Sequence, residues 1–470
     1  MTDLSDVRSL VVLGLGRSGG PAALLARRRL PGATVTALDE GRPADDGSPA
    51  LLAAAGVTVL VGDRARLPAD ADLLGKSPGV PNESAVVREA QARGVPLWSE
   101  VEFATRFLTN RLVGITGTNG KTTTTELTGA ILSDAGVPVA VAGNVGHALS
   151  RLPEELGEDE IIVAELSSFQ LEHIERFRPD VGVLLNLTAD HIDRHGSYEA
   201  YVQAKLRLFE NQAEGDLALF NADDPASMAQ QLPGRGRRNY FACATGPAPP
   251  PVSDAIQAAG LEGDLLWVVL DGGRRELCRR DELALKGDHN LANSLAAAAA
   301  AAAVGVPAAA IAGTLRTFPG VAHRLEVVGT VGEVTYVNDS KATNTDATLK
   351  ALTAYTRGVH LILGGYDKGA AFEELAKATE GRVAEVLLIG ATAAQLAAAF
   401  ATRTAAAGSQ PTPAVVCGDL ASAVAHAARA AVAGDVVLLS PACASWDQYR
   451  NYEERGEHFR ELVSELGKRS

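Results

Sequence analysis

Cysteine, methionine and aromatic residues are scarce in this sequence of 470 residues. It contains four cysteines, two methionines and 5% aromatic residues. The cysteines are too far apart in sequence to form a zinc-binding pattern or a disulfide framework: they are Cys243, Cys278, Cys417 and Cys443. We therefore expect a protein of a reducing compartment, the cytoplasm.

Long apolar runs are also missing. No run approaches the roughly 18 residues that a membrane-spanning helix needs. The first residues, MTDLSDVRSLVVLGLG, lead directly into a strand-like segment, without a basic region before the apolar run and without a small-residue cleavage site. We expect neither membrane insertion nor a signal peptide.

Basic residues are fewer than acidic ones, 43 against 57, which gives a formal net charge of −14. Affinity for a nucleic-acid backbone depends on clustered Lys and Arg, so we expect no nucleic-acid partner. The acidity favours solubility. Small anionic ligands remain compatible with it, because they need only a few local cations.

Short apolar, β-branched segments alternate with helix-like segments along most of the chain. This pattern is typical of an α/β protein with mostly parallel sheets flanked by helices. Three series of such strands, each with its own glycine-rich turns, predict three domains. We place them at residues 1–106, 107–320 and 321–470, with Rossmann-like first and third domains around a central P-loop domain.

The first glycine-rich turn is GLGRSG at residues 14–19, and Asp39 closes the next predicted strand. This arrangement fits a diphosphate held at a helix N-terminus. Three interpretations remain open at this point: a dinucleotide redox cofactor, another nucleotide diphosphate, or a structural turn.

The second glycine-rich turn is TGTNGKTTTTEL, which joins a predicted strand to a predicted helix. The common P-loop pattern requires glycine at position 115, where this chain has Ile115. Gly117 and Gly120 still allow backbone N–H groups to approach a polyphosphate. Lys121 would contact its terminal phosphates, and the Thr122 hydroxyl could bind magnesium. The alternative is a threonine-rich helix cap.

Acidic residues and histidines follow two further predicted strands. Glu165 ends the strand in DEIIVAELSS, where a magnesium ligand would stand beside a phosphate loop. Asp190 and His191 follow the strand in DVGVLLNLT, and Asp193 and His195 keep a metal role open. Ordinary structural roles are the alternative for each.

Lys205 lies in the apolar stripe of the predicted helix SYEAYVQAKLRLFEN. Burying an unpaired ammonium is costly. Lys205 must therefore snorkel outward, pair with an acid, or be chemically modified.

Three cations, Arg324, Lys341 and Lys368, lie in turns at the ends of predicted strands of the third domain. Such cations suit phosphate and carboxylate groups. Together with the phosphate loop, they favour a ligand cleft between the second and third domains.

Taken in order, these motifs resemble those of the Mur ligases of peptidoglycan synthesis. The matching segments are TGTNGKTTT, ELSSFQL, DHIDRHGS, YVQAKLRLF, HNLAN, AHRLE, NDSKATN and SPACASWDQY. The resemblance extends from GLGRSG to the last predicted helix. It implies a UDP-binding domain, a central ATPase and a C-terminal domain that brings the amino acid.

The resemblance also implies the reaction. An ATP-dependent ligase would join D-glutamate to UDP-N-acetylmuramoyl-L-alanine through an acyl phosphate. The alternative within the superfamily is a ligase for another amino acid, or one that resembles folylpolyglutamate synthase. The implied cofactors are ATP, two Mg²⁺ ions and a CO₂-derived carbamate on Lys205.

The resemblance assigns site residues by motif position. The catalytic residues would be Lys121, Glu165, His191, Lys205 and Lys341. ATP would be bound by Gly117, Thr118, Asn119, Gly120, Lys121, Thr122, Thr123, Asn290, Asn293, Arg324 and Asp339. D-glutamate would be bound by Thr343, Lys368, Ser445 and Tyr452, and the UDP-sugar by Arg17, Ser18, Asp39, Ser77, Gly79, Asn144 and Gln170. Metal would be bound by Thr122, Glu165, His191 and carbamylated Lys205.

Some positions depart from the family's pattern. The third domain has Tyr366 after two glycines and Trp446 after SPACAS, and Tyr452 replaces an expected phenylalanine. The segment LDEGR after the second strand also differs, so the resemblance does not identify the residue that recognises the uracil base.

Two functions from other classes rest on single motifs. A nicotinamide dehydrogenase rests on GLGRSG and Asp39, and predicts NADH binding. A P-loop regulatory module rests on the Gly-Lys-Thr loop, and predicts nucleotide binding without turnover of an amino-acid substrate. Neither gives a role to Lys205 or SPACAS.

We expect a monomeric enzyme.

Overall fold

The computed structural model describes residues 3–41, 48–243, 256–366, 372–401 and 412–469. The chain forms two compact units, Met1–Phe318 and Pro319–Ser470. The first unit contains two sheets and the second contains one. Within the described ranges, no helix combines the length and apolarity that crossing a bilayer would demand.

The first sheet lies at the start of the chain. Its strands are β1 (Ser9–Leu13), β2 (Thr34–Asp39), β3 (Thr58–Val61), β4 (Leu73–Lys76) and β5 (Leu97–Ser99), and its helices are α1 (Gly19–Arg29), α2 (Ser48–Ala54), α3 (Ala85–Arg93) and α4 (Glu100–Thr105). All pairs are parallel, in the order β3-β2-β1-β4-β5. Alternate residues of β1 enter cores on the two faces of the sheet, which accounts for the unbroken apolar run at residues 10–13.

The second sheet has nine strands within the described residues. They are β6 (Leu112–Thr116), β7 (Val139–Gly143), β8 (Ile161–Glu165), β9 (Val181–Leu184), β10 (Leu217–Asn221), β11 (Arg237–Ala242), β12 (Ile256–Glu262), β13 (Leu265–Leu270) and β14 (Gly273–Arg279). The order is β14-β13-β12-β11-β10-β9-β6-β8-β7. Only the pairs β12–β13 and β13–β14 are antiparallel.

Eight helices accompany this sheet in the described part of the chain. They are α5 (Lys121–Asp134), α6 (Leu152–Glu155), α7 (Ser168–Leu171), α8 (Ile192–His195), α9 (Tyr198–Leu206), α10 (Pro225–Met228), α11 (Asp288–Ala303) and α12 (Ala308–Thr317). The alanine run 296–301 of α11 is buried, and α11 packs against α5. Alanine favours helix, and its short side chain lets the two helices approach closely.

The second unit is built on a six-stranded sheet. Its strands are β15 (Glu326–Val331), β16 (Val334–Asn338), β17 (Val359–Gly364), β18 (Val383–Ile389), β19 (Ala414–Gly418) and β20 (Val436–Leu439), and its helices are α13 (Thr345–Leu352), α14 (Glu373–Ala378), α15 (Ala393–Ala401), α16 (Leu420–Ala430) and α17 (Tyr452–Arg469). The order is β15-β16-β20-β17-β18-β19, with only β15–β16 antiparallel. The predicted α/β fold with mostly parallel, helix-flanked sheets is confirmed.

The strand order determines where the candidate site forms. In the second sheet β6 lies between β8 and β9, and all three are parallel. Their carboxyl ends therefore meet at one edge. The loop before α5, Glu165 at the end of β8 and the segment after β9 come together there.

Glu102 of α4 connects the two sheets of the first unit. Its carboxylate is fully buried and accepts the backbone N–H groups of Glu175, Arg176 and Phe177 at 2.8, 3.0 and 2.8 Å. The other oxygen accepts a bond from Arg106. One side chain thus satisfies three backbone donors that would otherwise be buried without partners.

We predict that Glu102→Ala destabilises the first unit by about 3–5 kcal/mol, because it leaves three N–H groups without their acceptor and removes one of the two carboxylate partners of Arg106, the other being Glu175. Calorimetry and urea unfolding followed by tryptophan fluorescence would measure the loss. The control is Glu89→Ala, which removes an exposed ion pair with Arg93 and should cost about 0.5 kcal/mol or less. Equal unfolding midpoints for the two variants would contradict this role of Glu102.

Candidate functional site

The loop between β6 and α5 has two glycines with positive φ, Gly117 at 155° and Gly120 at 84°. A Cβ atom on Gly117 would lie 2.9 Å from the Cβ of Leu185, and one on Gly120 would lie 2.3 Å from Oδ1 of Asn293. Both positions thus require glycine for conformation and for space. The glycine of the common P-loop pattern is replaced by Ile115, which is fully buried in β6.

Asn186, two residues after the end of β9, holds this loop in place. Its Oδ1 accepts the N–H of Asn119 at 2.8 Å, and its Nδ2 donates to the carbonyl of Asn119 at 3.1 Å. Its backbone carbonyl accepts the N–H of Thr118 at 3.0 Å. The sequence pattern does not single out Asn186, although an asparagine that closely follows a buried strand is a detectable signal.

A hydroxyl pair adds a second attachment of the loop. The Thr118 hydroxyl lies 2.8 Å from the Tyr201 hydroxyl of α9, and it donates to the carbonyl of Thr188 at 3.1 Å. Burial raises the pKa of Tyr201, so this phenol stays protonated. Tyr201 is predicted from sequence only as an apolar-stripe residue, and its contact with the loop depends on tertiary structure.

Lys121 begins α5, and its ammonium folds over the loop. Nζ donates to the carbonyls of Gly117 and Thr118 at 3.0 and 2.8 Å. The next two threonines, Thr122 and Thr123, are buried in the first turn. The N–H groups of that turn have no partner within the helix, so they can bind an anion.

The two asparagines of HNLAN stand beside this helix. Thr124 donates from its hydroxyl to Oδ1 of Asn293 at 3.3 Å, and Nδ2 of Asn293 donates to Asn290 at 3.2 Å. Asn293 is buried and Asn290 is partly exposed. The structure therefore brings both predicted residues next to the phosphate loop.

Glu165 ends β8 as the sequence pattern predicts, and its side chain is 2% exposed. Oε1 accepts a hydrogen bond from Nδ2 of Asn144 at 2.8 Å. Oε2 is buried and has no hydrogen-bond partner within the described part of the chain. A buried carboxylate oxygen without a donor is costly and suits a cation.

Lys205 is buried, with 2% of its surface exposed. Nζ donates to the carbonyl of Gly117 at 2.8 Å and lies 4.7 Å from the ring centre of Tyr201. Burial and nearby Lys121 hold the pKa of Lys205 well below its usual value, against the opposing effects of Asp190 and Glu165. The hypothesis that Lys205 snorkels outward is wrong. No described carboxylate forms an ion pair with it, so pairing with an acid is not observed.

His191 lies before α8 with a left-handed φ of 53°, and its Nε2 is 3.7 Å from a carboxylate oxygen of Asp190. His195 has both ring nitrogens in protein contacts, since Nε2 is 2.9 Å from the Ser168 hydroxyl and Nδ1 is 3.2 Å from Glu172. His195 is therefore less suited to a metal than His191. The Asp193 side chain lies outside the described residues. Among the described side chains, no group of three His, Cys, Asp or Glu residues is arranged to hold a metal ion.

These elements surround a cavity of about 340 Å³ in the first unit. Five predicted site residues line it: Gly79, Lys121, Asn144, His191 and Lys205. The other lining residues are Pro78, Ser167, Ser168, Phe169, Asp190, Arg194 and Tyr201. Glu165 does not line the cavity itself, but it is hydrogen-bonded to the lining residue Asn144.

The first glycine-rich turn is organised by Asp39, whose Oδ2 accepts the N–H of Leu15 at 2.8 Å. The Ser77 hydroxyl donates to the carbonyl of Gly14 at 2.8 Å and lies 3.4 Å from the Ser18 hydroxyl. Asp39, Ser18 and Ser77 therefore meet at one turn. The side chain of Asp39 is engaged in shaping that turn.

Arg17 and Gln170 make different contacts. Arg17 donates to the carbonyl of Gly146 at 3.4 Å from an exposed position. Gln170 is buried, and its Oε1 accepts the N–H of Ser167 at 3.0 Å in a capping box at the start of α7. Gln170 thus has a structural role beside the cavity.

In the second unit, Asp339 follows β16 and is buried. It accepts bonds from the Ser440 hydroxyl at 2.7 Å and the N–H of Leu325 at 3.1 Å. Burial raises the pKa of Asp339 to about 6. The adjacent Arg324 lies between two residues with left-handed φ, His323 at 61° and Leu325 at 44°. This strained turn brings Arg324 and Asp339 close enough for their charges to interact.

Lys341 and Tyr452 also meet in the second unit, where Nζ of Lys341 lies 5.8 Å from the centre of the tyrosine ring. Arg455, one turn into α17, is buried and donates to the carbonyls of Ser340 and Cys443 at 2.9 and 3.2 Å. Arg455 ties the NDSKATN and SPACAS segments together, a role that the sequence pattern does not reveal.

Of the predicted D-glutamate residues, Thr343 is partly exposed, Ser445 is buried, and Lys368 lies outside the described residues.

The two aromatic departures from the family's pattern are in contact with each other. The rings of Tyr366 and Trp446 have centres 5.8 Å apart, and they are 47% and 61% exposed. They lie next to Ser445 because Tyr366 pairs with Ala444 across an isolated β-bridge.

Comparison with known families and proteins gives a consistent result. Residues 115–301 match the model of the Mur ligase middle domain, and residues 323–443 match that of the Mur ligase glutamate ligase domain. The chain is 42% identical over 464 residues to the UDP-N-acetylmuramoylalanine--D-glutamate ligase of Pelotomaculum thermopropionicum, covering 98% of each protein. It is 43% identical over 474 residues to the enzyme of the same name from Myxococcus xanthus, covering 99% of this chain and 100% of that protein.

Solved structures share the fold at lower identity. A crystal structure of MurF from Acinetobacter baumannii has a TM-score of 0.58 at 16% identity, covering 100% of this chain and 93% of that one. MurF ligase from Thermotoga maritima in complex with ADP has a TM-score of 0.54 at 17% identity, covering 100% and 98%. With relatives above 40% identity along nearly its whole length, the chain belongs to the Mur ligase family.

Proposed function

We propose that this chain joins D-glutamate to UDP-N-acetylmuramoyl-L-alanine with hydrolysis of ATP to ADP and phosphate, in the synthesis of peptidoglycan precursors. Relatives over 40% identical along nearly the whole chain carry the name of this ligase. The observation that carries the proposal is the cavity where Lys121, His191 and Lys205 meet Gly79 and Asn144.

The chemistry explains why such a site needs many cations and donors. A carboxylate is a poor electrophile, and its oxygen first attacks the γ-phosphorus of ATP so that ADP leaves. The amine of D-glutamate then attacks the acyl carbon, and the tetrahedral intermediate collapses to an amide as phosphate departs. Each step crowds anions together, and fixed positive groups stabilise that charge in the transition state.

The phosphate loop is the proposed site of the ATP phosphates. Asn186 already binds the N–H groups of Thr118 and Asn119. The N–H groups at the start of α5 remain to bind the phosphates, and the Lys121 ammonium would exchange its bonds to the carbonyls of Gly117 and Thr118 for phosphate oxygens. We assign the remaining contacts to the predicted residues of this loop and of HNLAN: Gly117, Gly120, Thr122, Thr123, Asn290 and Asn293.

Magnesium fits the residues at this edge of the sheet. The buried Oε2 of Glu165 has no donor within the described residues, and His191 and Thr122 lie on the neighbouring segments. When bound, Mg²⁺ would offset the negative charge of the phosphates. The proposal includes two such ions, held by Thr122, Glu165, His191 and modified Lys205.

Carbamylation of Lys205 is the proposed reason for burying a lysine here. Burial and the nearby Lys121 lower the pKa of Lys205, which favours the neutral amine, the form that adds to CO₂ with loss of a proton. The product is an anion, whose charge would suit a metal-binding site better than an ammonium does. The buried position next to Gly117 would also protect the carbamate from water.

The remaining assignments complete the proposal. In the second unit, Arg324, Asp339 and Lys341 would serve ATP and the reaction centre, and Thr343, Lys368, Ser445 and Tyr452 would bind D-glutamate. In the first unit, Arg17, Ser18, Asp39, Ser77, Gly79, Asn144 and Gln170 would bind the UDP-sugar. We further propose a cytoplasmic monomer with domains at 1–106, 107–320 and 321–470.

The substrate prediction is tested by phosphate release. With ATP and UDP-N-acetylmuramoyl-L-alanine, D-glutamate should support turnover, whereas L-alanine and meso-diaminopimelate should not. The same mixture without the UDP-sugar is the control for ATP hydrolysis. Turnover with either of the other amino acids but none with D-glutamate would overturn the proposed specificity.

We predict that Glu165→Gln weakens binding of Mg²⁺-ATP at least about 10-fold while leaving thermal stability equal or higher. The change removes charge from a buried oxygen that has no donor, so folding should not suffer. Calorimetric titration and thermal unfolding measure the two effects. The exposed Glu155→Gln is the control, and an affinity within about 2-fold of the unchanged protein would rule out Glu165 as a metal ligand.

We predict that Lys205→Ala nearly abolishes turnover and that added bicarbonate does not restore it. The unchanged protein, equilibrated with ¹³C-bicarbonate, should give a carbamate resonance that the variant lacks. Lys377→Ala, at an exposed site on α14, is the control and should retain both the turnover and the carbamate resonance. Near-normal turnover of Lys205→Ala would remove the carbamate hypothesis.

A further inference from the structure

Arg194 of α8 reaches across the cavity edge to the loop that follows β4. Its Nη2 donates to the carbonyl of Pro78 at 2.6 Å and to the carbonyl of Val80 at 2.8 Å. One guanidinium nitrogen therefore binds two carbonyls of residues 78–80, which we call the 78–80 loop. Hydrogen bonds from a charged donor are stronger than neutral ones, so this contact constrains the loop effectively.

The guanidinium is itself held in a fixed orientation. Its Cζ lies 3.9 Å from the ring centre of Phe169, over the face of the ring. The ring of Phe169 also stacks on His195 and meets His191 edge-on, with 5.0 Å between centres in each pair. A guanidinium over an aromatic face is favourable. The arginine is thus ordered from one side by Phe169 and from the other by the loop carbonyls.

Two further contacts hold the same segment. The buried ammonium of Lys76 also donates to the carbonyl of Val80 at 2.8 Å. Asn82 donates to Glu172 at 3.2 Å. The Lys76 bond is internal to the segment that carries the 78–80 loop, whereas Asn82 ties that segment to Glu172 and His173, which follow α7. Arg194 is the contact that links the loop directly to the wall carrying His191.

The geometry gives this link a function in the cavity. Pro78 and Gly79 form one part of the lining, and Asp190, His191 and Lys205 form another. Arg194 lines the cavity between them and bonds to the first part from a helix that starts directly after His191. It therefore fixes the separation of the two walls.

We propose that Arg194 is a positioning residue for the UDP-sugar, which sets the place of its reacting carboxylate relative to the phosphate loop. The inference rests on the proposed function, in which Gly79 contacts the UDP-sugar and His191 and Lys205 serve the reaction centre. A small displacement of a reacting group is enough to slow a reaction strongly. Arg194 does not need to touch the reacting atoms for this role.

The test compares Arg194→Ala and Arg194→Lys with the matched control Arg29→Ala. Arg29 of α1 makes a similar contact away from the cavity, since it donates to the carbonyl of Pro153 at 2.6 Å and to Glu154 at 2.8 Å. KM for each substrate, kcat, calorimetric binding of UDP-N-acetylmuramoyl-L-alanine without ATP, and thermal unfolding are measured for all variants.

Arg194→Ala should raise KM and Kd for the UDP-sugar about 10-fold and lower kcat, with KM for ATP and D-glutamate within about 2-fold. Arg194→Lys, which keeps the charge but not the planar fork, should fall between. Arg29→Ala should match the unchanged protein. Unchanged UDP-sugar binding in a folded Arg194→Ala, or an equal rise of all three KM values, would overturn the proposal. Absence of turnover in the unchanged protein would instead overturn the proposed function, and the Kd comparison would still test Arg194.

Discussion

The clamp of Asn186 on the phosphate loop is the constraint on which the candidate site depends. One amide side chain binds both backbone groups of Asn119, and its own carbonyl binds Thr118. The loop is thereby fixed to the end of β9, the strand that also leads to His191. Because β9, β6 and β8 are neighbours in the sheet, this attachment brings the anion-binding loop, Glu165 and His191 into one region.

The site contains two buried groups that lower the stability of the folded protein. Within the part of the chain that the structure describes, the buried Lys205 forms no ion pair with a carboxylate, and one oxygen of Glu165 has no donor. Either feature alone destabilises a folded protein. Their position beside the same loop makes sense if the amine and the carboxylate are completed by a modification and by metal. Burial also lowers the pKa of Lys205, which favours the neutral amine that the proposed carbamylation requires.

Much of the fold and the residue types of the site can be predicted from the sequence, because strand-end motifs are local. The loop glycines, Glu165 after its strand and Lys205 in an apolar stripe are all recognisable within a dozen residues of chain. The strands β12 and β14 are harder to predict, since each carries exposed residues at several positions and both pair with β13 through antiparallel turns. Asn186, Arg194 and Arg455 act through backbone carbonyls or N–H groups distant in sequence, and no local pattern reveals such partners. The fate of Lys205 likewise depended on tertiary packing, which excluded snorkelling.

The close approach of Gly120 and Asn293 has a consequence for how this protein can change. A Cβ atom at position 120 would fall 2.3 Å from the Asn293 amide oxygen, and α11 cannot retreat easily because its buried alanine run packs directly against α5. A larger side chain at position 120 would therefore require a smaller one at position 293 and a shift of Leu185, whose Cδ1 would lie 3.3 Å away, and even then the positive φ would resist it. The two positions form an epistatic pair, in which the order of mutations decides whether an intermediate sequence can function.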